Sequence, residues 1–142
     1  MLNSNSAEAW NFGGWVKIWL GEPEAAIARF ARAMRLSPLD PRVPAMRSGT
    51  AFAHFLLGRY DEAASWAAMV LQANPDHQPG LRVAAASNAM AGRPEQAHEA
   101  MVRLRQLNPA LRVSTLKDVS GPSRREDLSR LEEGLRRAGL PE

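Results

Sequence analysis

The chain has 142 residues, a formal net charge of +3 and no cysteine, so it suits one domain and excludes disulfides, thiolate nucleophiles and thiolate metal sites. No apolar run reaches the about 18 residues that a membrane-spanning helix needs, and the first residues lack the basic start and apolar centre of a signal peptide. The charge excess is small and interleaved with acids, so the composition favours a cytoplasmic protein that contacts neither a membrane nor a nucleic acid.

Three segments of the sequence align with one another without gaps: residues 20–38, 57–75 and 91–109. Each segment carries glycine, alanine and proline at matching places, which are Gly21, Gly58 and Gly92, then Ala26, Ala63 and Ala97, then Pro38, Pro75 and Pro109. The second and third glycines are 34 residues apart, whereas the first two are 37 apart. The pattern predicts an internal repeat with three residues inserted between its first two copies.

Each copy predicts two helices joined at the glycine. An apolar stretch without internal proline precedes the glycine in all three copies, over residues 10–20, 45–57 and 81–91. The glycine ends that helix because it adopts the left-handed conformation at no steric cost. A second helix follows with small and apolar residues at helical spacing, such as Ala26, Phe30 and Ala33, and a Ser-Pro or Asn-Pro pair stops it.

The three inserted residues allow two interpretations. Asp40 can cap a helix whose first residue is Pro41, in which case the first helix of the second repeat begins about one turn early. Alternatively, the insertion only lengthens the loop between the repeats. Both interpretations remain open on the sequence alone.

The C-terminal segment predicts a connector and a final helix. Residues 112–122 do not match the repeat, and Ser123 with Glu126 has the pattern of a capping box. Three leucines then share one face of a helix over residues 124–138, namely Leu128, Leu131 and Leu135. We expect this helix to cover the last repeat.

A helix–turn–helix unit of 34 residues with this glycine, alanine and proline skeleton resembles the tetratricopeptide repeat (TPR). Trp10 lies where the first helix of that motif favours tryptophan. The resemblance implies an all-α, right-handed TPR solenoid of three helix-turn-helix repeats within residues 1–111, at about 7–40, 41–77 and 78–111. Residues 112–142 then supply the connector and a C-terminal capping helix.

A narrower resemblance rests on residues 5–41 and 125–142. Both runs are similar to the C-terminal TPR region of proteobacterial proteins of the class III adenylate cyclase type, and similar regions follow winged-helix regulator domains. The resemblance implies a bacterial signalling context, while the catalytic domain of such cyclases is a separate α/β domain. Leu2-Asn3-Ser4-Asn5 looks like the end of a preceding repeat, so we expect the chain to start inside a longer array.

The sequence offers no constellation of catalytic or metal-binding residues. His54, His77 and His98 lack the histidine or carboxylate partner four residues away that a zinc-binding helix shows. No glycine-rich loop suits a phosphate, and Gly13-Gly14 lies within a predicted helix, where glycine permits close helix packing. We predict a chain that is not an enzyme and that needs no metal or cofactor.

Binding of a protein partner is then the favoured function. The first helices of stacked helix pairs line the concave side of a solenoid, and the TPR pattern places apolar and aromatic residues there. We expect this concave groove to hold a peptide or helix of a partner. The candidates are Asn11, Trp15, Ile18, Ser48, Phe52, Phe55 and Arg82. The two phenylalanines can instead be core residues, and the arginine a solvated charge.

Self-association is the alternative hypothesis. Trp10, Trp15 and Trp19 lie on the first helix and form an apolar patch if no preceding repeat covers them. These tryptophans can pack on such a repeat or on a second copy of the chain. The second possibility predicts a homodimerisation or regulatory module of a larger signalling protein, because class III cyclases work as dimers.

Overall fold

The computed structural model describes residues 6–142. In that range all regular structure is helical, and the elements are α1 (Ala7–Trp19), α2 (Pro23–Leu36), α3 (Val43–Leu56), α4 (Tyr60–Ala73), α5 (Gln78–Met90), α6 (Pro94–Leu107), a 3-10 helix (Val113–Asp118) and α7 (Arg125–Arg137). Helices α1 to α6 pack as three consecutive pairs, and each pair packs on the next through α2 with α3 and α4 with α5. The molecule is therefore an all-α helical solenoid, as the repeat predicts.

Glycine and proline set the limits of the paired helices. The first helix of each pair ends just before a glycine with positive φ, at +74° for Gly21, +75° for Gly58 and +79° for Gly92. Two of the second helices begin with a proline, Pro23 and Pro94, where a missing N–H costs nothing. The structure confirms that these glycines and prolines mark the helix ends. Every paired helix has 13 or 14 residues.

The insertion between the first two repeats lengthens the loop. Helix α3 begins at Val43, so the interpretation in which Pro41 starts the helix is wrong. Asp40 does not cap α3. Its Oδ1 accepts hydrogen bonds from the backbone N–H and the Nε of Arg42, at 2.8 and 2.9 Å, which holds a tight turn before the helix.

Phe30 packs at the interface between the first two repeats. Its ring is fully buried between Gly14 of α1 and Gly49 of α3. A Cβ atom at Gly14 would lie 2.6 Å from Phe30 Cε1, and one at Gly49 would lie 2.4 Å from Phe30 Cζ. Trp15 meets the same ring edge-on, with the ring centroids 5.4 Å apart. The close packing expected at Gly13-Gly14 therefore depends on Gly14.

Ion pairs repeat along one edge of the solenoid. Arg59 at the start of α4 donates to Glu24 in the first turn of α2. At the equivalent place one repeat later, Arg93 Nη1 donates to Asp61 at 2.7 Å. Arg93 also donates from Nε to Asn88, so it ties its own repeat to the preceding one. These pairs are exposed and each contributes under about 1 kcal/mol.

The C-terminal helix differs from its prediction in two ways. Its N-cap is Arg124, and within the described part of the chain no side chain caps it. Ser123 Oγ has no hydrogen-bond partner there, so the predicted capping box of Ser123 and Glu126 is wrong. The extended backbone of Arg124 moves the start of the helix one residue onward. The second difference is the position of α7, because the helix contacts the earlier repeats as well as the last one.

The predicted repeat end at Leu2-Asn3-Ser4-Asn5 lies outside the described residues. Over residues 6–142, none of the helices is both long enough and apolar enough to cross a membrane.

Candidate functional site

Helix α7 crosses the surface that the first helices of the repeats form. Near its start, the side chain of Arg124 packs over Gly21, at the turn that follows α1. One and a half turns later, Arg130 Nη1 donates to the carbonyl oxygen of Leu56 at the end of α3. Gly134 then lies against Ala86 of α5. The helix therefore touches all three repeats, and α5 is its main support.

The contact face of α7 combines two leucines with a glycine. Leu131 is 2% exposed and Leu135 is fully buried. Between them, Gly134 approaches the scaffold so closely that a Cβ there would lie 2.8 Å from the Ala86 Cβ and 3.3 Å from Phe55 Cζ. The rest of the helix is dominated by charged residues. This is an amphipathic helix held in a groove by a narrow apolar stripe.

A cavity of about 40 Å³ remains beneath α7. Its lining includes Trp15, Ser48 and Phe52 from the first two repeats and Arg82 from the third. Leu131 of α7 and Ser120 of the connector also line it, and it stays partly open to solvent. Four of the seven predicted groove residues thus meet at one place, and the final segment of the chain covers them.

The other predicted groove residues lie apart from that cavity. Ile18 and Phe55 are each 1% exposed and belong to the core, with Phe55 reaching α7 at Gly134. Asn11 is half-buried on α1, and its Oδ1 is buried without a hydrogen bond to any residue in the described range. Phe52 stacks on Phe55 with the ring centroids 6.3 Å apart, so both phenylalanines serve the core as well as the groove.

Arg82 carries the main charge of the site. Its Nη2 lies 3.5 Å from the carbonyl oxygen of Val119 in the connector. Burial lowers the pKa of its guanidinium, which nevertheless stays protonated at neutral pH. The pKa of His77, the N-cap residue of α5, is lowered by burial and by the positive charge of Arg82. A positive charge therefore borders an otherwise apolar groove.

The three tryptophans of α1 do not share one side of the helix. Trp10 and Trp19 are nine residues apart and lie on opposite sides. Trp10 lies beneath the guanidinium groups of Arg29 and Arg32, whose Cζ atoms are 5.8 and 5.9 Å from its ring centroid. Trp19 meets Phe12 edge-on at 6.3 Å, and Trp15 borders the cavity. All three are half-buried.

Sequence reasoning missed two surfaces. Phe12 and Leu20 are 59% and 58% exposed near Trp19, which makes them the more accessible apolar side chains of this end. The sequence also did not reveal that α7 contacts the groove through Arg130 and Gly134. A signal was present in the leucine stripe, where Gly134 directly precedes Leu135, because a glycine within an exposed helix indicates a close approach.

The described residues hold no group of three side chains arranged to bind a metal ion. His54 lies on α3, His77 precedes α5 at its N-cap position and His98 lies on α6, so the three histidines belong to separate elements. Burial lowers the pKa of His54. The chemistry of the groove is that of apolar contact and hydrogen bonding with a bound helix.

Comparisons with known proteins agree with this architecture. The first TPR domain of Spaghetti (RPAP3), bound to the HSP90 peptide SRMEEVD, is similar over 95% of this chain and 99% of that one, at 18% identity with a TM-score of 0.70. The first TPR domain of human RPAP3 is similar over 94% and 95%, at 18% identity with a TM-score of 0.70.

A third similar structure is that of PilW, described as a widely conserved type IV pilus biogenesis factor. It is similar over 96% of this chain but only 59% of its own length, at 18% identity with a TM-score of 0.71. No family model and no curated protein matches the sequence. The likeness therefore establishes the fold, which is that of TPR domains.

Proposed function

We propose that the protein is a non-catalytic interaction module that binds an amphipathic helix or peptide of a protein partner in its concave groove. The observation that carries this proposal is that the groove already holds an amphipathic helix, α7. Leu131 and Leu135 are buried there, and Arg130 finds a carbonyl acceptor. Helix-in-groove recognition uses this combination of an apolar stripe and a few polar contacts.

The chemistry of the groove favours an apolar helix over an acidic tail. The similar RPAP3 domain was solved with an HSP90 peptide that ends in acidic residues. Among the predicted groove residues of this chain, Asn11 and Arg82 are the two suited to such a peptide, and of these Arg82 lines the pocket whereas Asn11 does not. Trp15 and Phe52 instead present apolar surface, so we assign the groove to a leucine-rich helix.

The test is a selection of helical peptides, displayed as a library, on the full chain. Selected peptides should carry leucines at helical spacing, and Trp15→Ala should weaken their binding at least tenfold because it removes a wall of the cavity. Trp66→Ala on α4 is the matched control, since it removes a half-buried tryptophan away from the groove. Peptides whose binding is insensitive to Trp15→Ala would refute the assignment.

A second candidate function is self-association through the N-terminal end. The exposed pair of Phe12 and Leu20, next to Trp19, supports it. We infer that such a dimer would serve a bacterial, cytoplasmic signalling protein of the kind that the cyclase and winged-helix resemblance implies.

Light scattering over a concentration series tests the dimer. A dimer that Phe12→Glu disrupts supports the proposal, provided that Leu39→Glu does not disrupt it. Leu39 is 96% exposed in the loop before α3, so it controls for the added charge. A mass that stays monomeric at every concentration would exclude self-association.

A further inference from the structure

Helix α7 leaves several polar atoms unsatisfied where it enters the groove. Ser120 Oγ, Ser123 Oγ and Asp127 Oδ2 are buried and have no hydrogen-bond partner within residues 6–142. The side chain of Asp127 is 5% exposed, and its Oδ2 lies 3.5 Å from Arg124 Nε, with which it forms an ion pair. Desolvated polar groups without partners oppose burial, so this end of α7 would regain hydration if the helix left the groove.

The apolar contact of α7 is also incomplete. A cavity of about 40 Å³ persists between Leu131 and the side chains of Trp15, Phe52 and Arg82. Atoms that line a void lose contacts on one side. The scaffold therefore offers more apolar surface than α7 covers, and a helix with a bulkier side chain at this place would fill it.

The stacked repeats do not depend on α7 for their own pairing. Helices α1 to α6 pack in sequence on one another, whereas α7 is attached mainly through α5 and the 3-10 helix. An exposed connector with Gly121 and Pro122 leads into α7. Displacement of α7 would leave the three helix pairs joined as they are.

We propose that α7 is a displaceable intramolecular ligand that keeps the groove closed until a partner helix competes for it. This inference rests on the proposed function of the groove. The competing helix should resemble α7 in carrying two leucines four residues apart, a small residue just before the second leucine and an arginine just before the first. At the position of Asp127 it should carry an apolar residue, because that carboxylate is poorly satisfied in the groove.

The probe for this proposal is a fluorescent synthetic peptide of residues 123–140, added to the full chain. A tethered helix competes at an effective concentration of about a millimolar, which weakens binding of the free peptide. The Leu135→Glu variant should release α7 because it places a carboxylate at a fully buried position of the apolar stripe. It should therefore bind the wild-type peptide at least tenfold more tightly than the wild-type protein does.

Peptide affinity is measured by fluorescence anisotropy, with one control variant and a second variant that should open the groove. Ser129→Glu adds the same charge to an exposed position of α7 and should bind the peptide as the wild-type protein does. Gly134→Leu should open the groove without adding charge, because a side chain there meets Ala86. Circular dichroism should show that the six repeat helices persist in every variant, with a loss no larger than the 13 residues of α7 where that helix is released.

Hydrogen exchange separates failure of this inference from failure of the proposed function. In the wild-type protein, amides of α7 should exchange faster than those of α3 and α5. Equal protection of α7 and α5, or equal affinity of wild-type and Leu135→Glu proteins for the peptide, would overturn the inference alone. Fast exchange of α7 in Leu135→Glu without any peptide binding would overturn the proposed groove function as well.

Discussion

Two adjacent glycines of α1 should respond oppositely to the same substitution. A Cβ at Gly14 would lie 2.6, 2.7 and 2.8 Å from three atoms of the Phe30 ring. A Cβ at Gly13 would lie 3.1 Å from Arg29 Nη1, the far end of a flexible side chain that can move away. Gly14→Ala should therefore destabilise the protein, whereas Gly13→Ala should be neutral or stabilising.

The magnitude follows from the geometry of the Phe30 ring. Carbon atoms pack at about 3.5–4.0 Å, so the ring must shift by about 1 Å to admit the methyl group at Gly14. Gly49 confines the same ring from the other side, with a distance of 2.4 Å to its Cβ position, so that shift is opposed. Overpacking costs about 1–3 kcal/mol, and the helix gains about 1 kcal/mol from replacing glycine with alanine. The difference is about 0–2 kcal/mol, and because Gly49 opposes the ring shift we expect Gly14→Ala to fall in its upper part, with a net loss of about 1–2 kcal/mol.

Thermal and urea unfolding followed by circular dichroism measure both variants. A loss of that size lowers the melting temperature by about 3–6 °C in a chain of this length, whereas Gly13→Ala should raise it slightly. Adding Phe30→Leu should recover part of the loss in Gly14→Ala, because the smaller side chain leaves room, and a double-mutant cycle gives the coupling. Equal stability of Gly14→Ala and Gly13→Ala would show that the Phe30 ring does not restrict the space at Gly14.

Two further predictions concern the pH dependence of stability and the turn that follows α1. Burial lowers the pKa of His54 and His77 from 6.5, so the unfolded chain binds more protons and stability falls as the pH drops below about 6.5 through the lowered values. The melting temperature should fall between pH 7.5 and 5.5, less so in His77→Gln, while the exposed-site control His98→Gln should match the wild type. Gly21→Ala should cost more than Gly58→Ala. Both positions have positive φ, but only Gly21 is covered by a side chain, that of Arg124, so Arg124→Ala should reduce the difference in unfolding free energy. Equal costs would contradict the contact of Arg124 with Gly21.

The repeat made the paired helices predictable to within a few residues. Their ends depend on local properties of glycine and proline, which the sequence displays directly, as at Gly58 and Pro94. The insertion was ambiguous because Asp40 can cap a helix or close a turn, and its contact with Arg42 decides between them. Local signals are sufficient where local interactions set the structure.

The position of α7 was not predictable in the same way. The leucine stripe indicated an apolar face but not which surface it would meet, because that depends on contacts distant in sequence. Arg130 with Leu56 and Gly134 with Ala86 are such contacts. The same limit affected Trp10 of α1, whose neighbours Arg29 and Arg32 come from the next helix. The candidate groove was thus anticipated as a surface, but its resident helix was not.

The long reach of α7 has a consequence for the folding kinetics. Arg130 and Leu56 are 74 positions apart, whereas the helix pairs pack chiefly on their sequence neighbours. Local contacts form quickly, while distant ones must first overcome the entropy of closing a large loop. Refolding should therefore begin with the three pairs and finish with the arrival of α7, so every newly made molecule passes through a stage in which the groove is open.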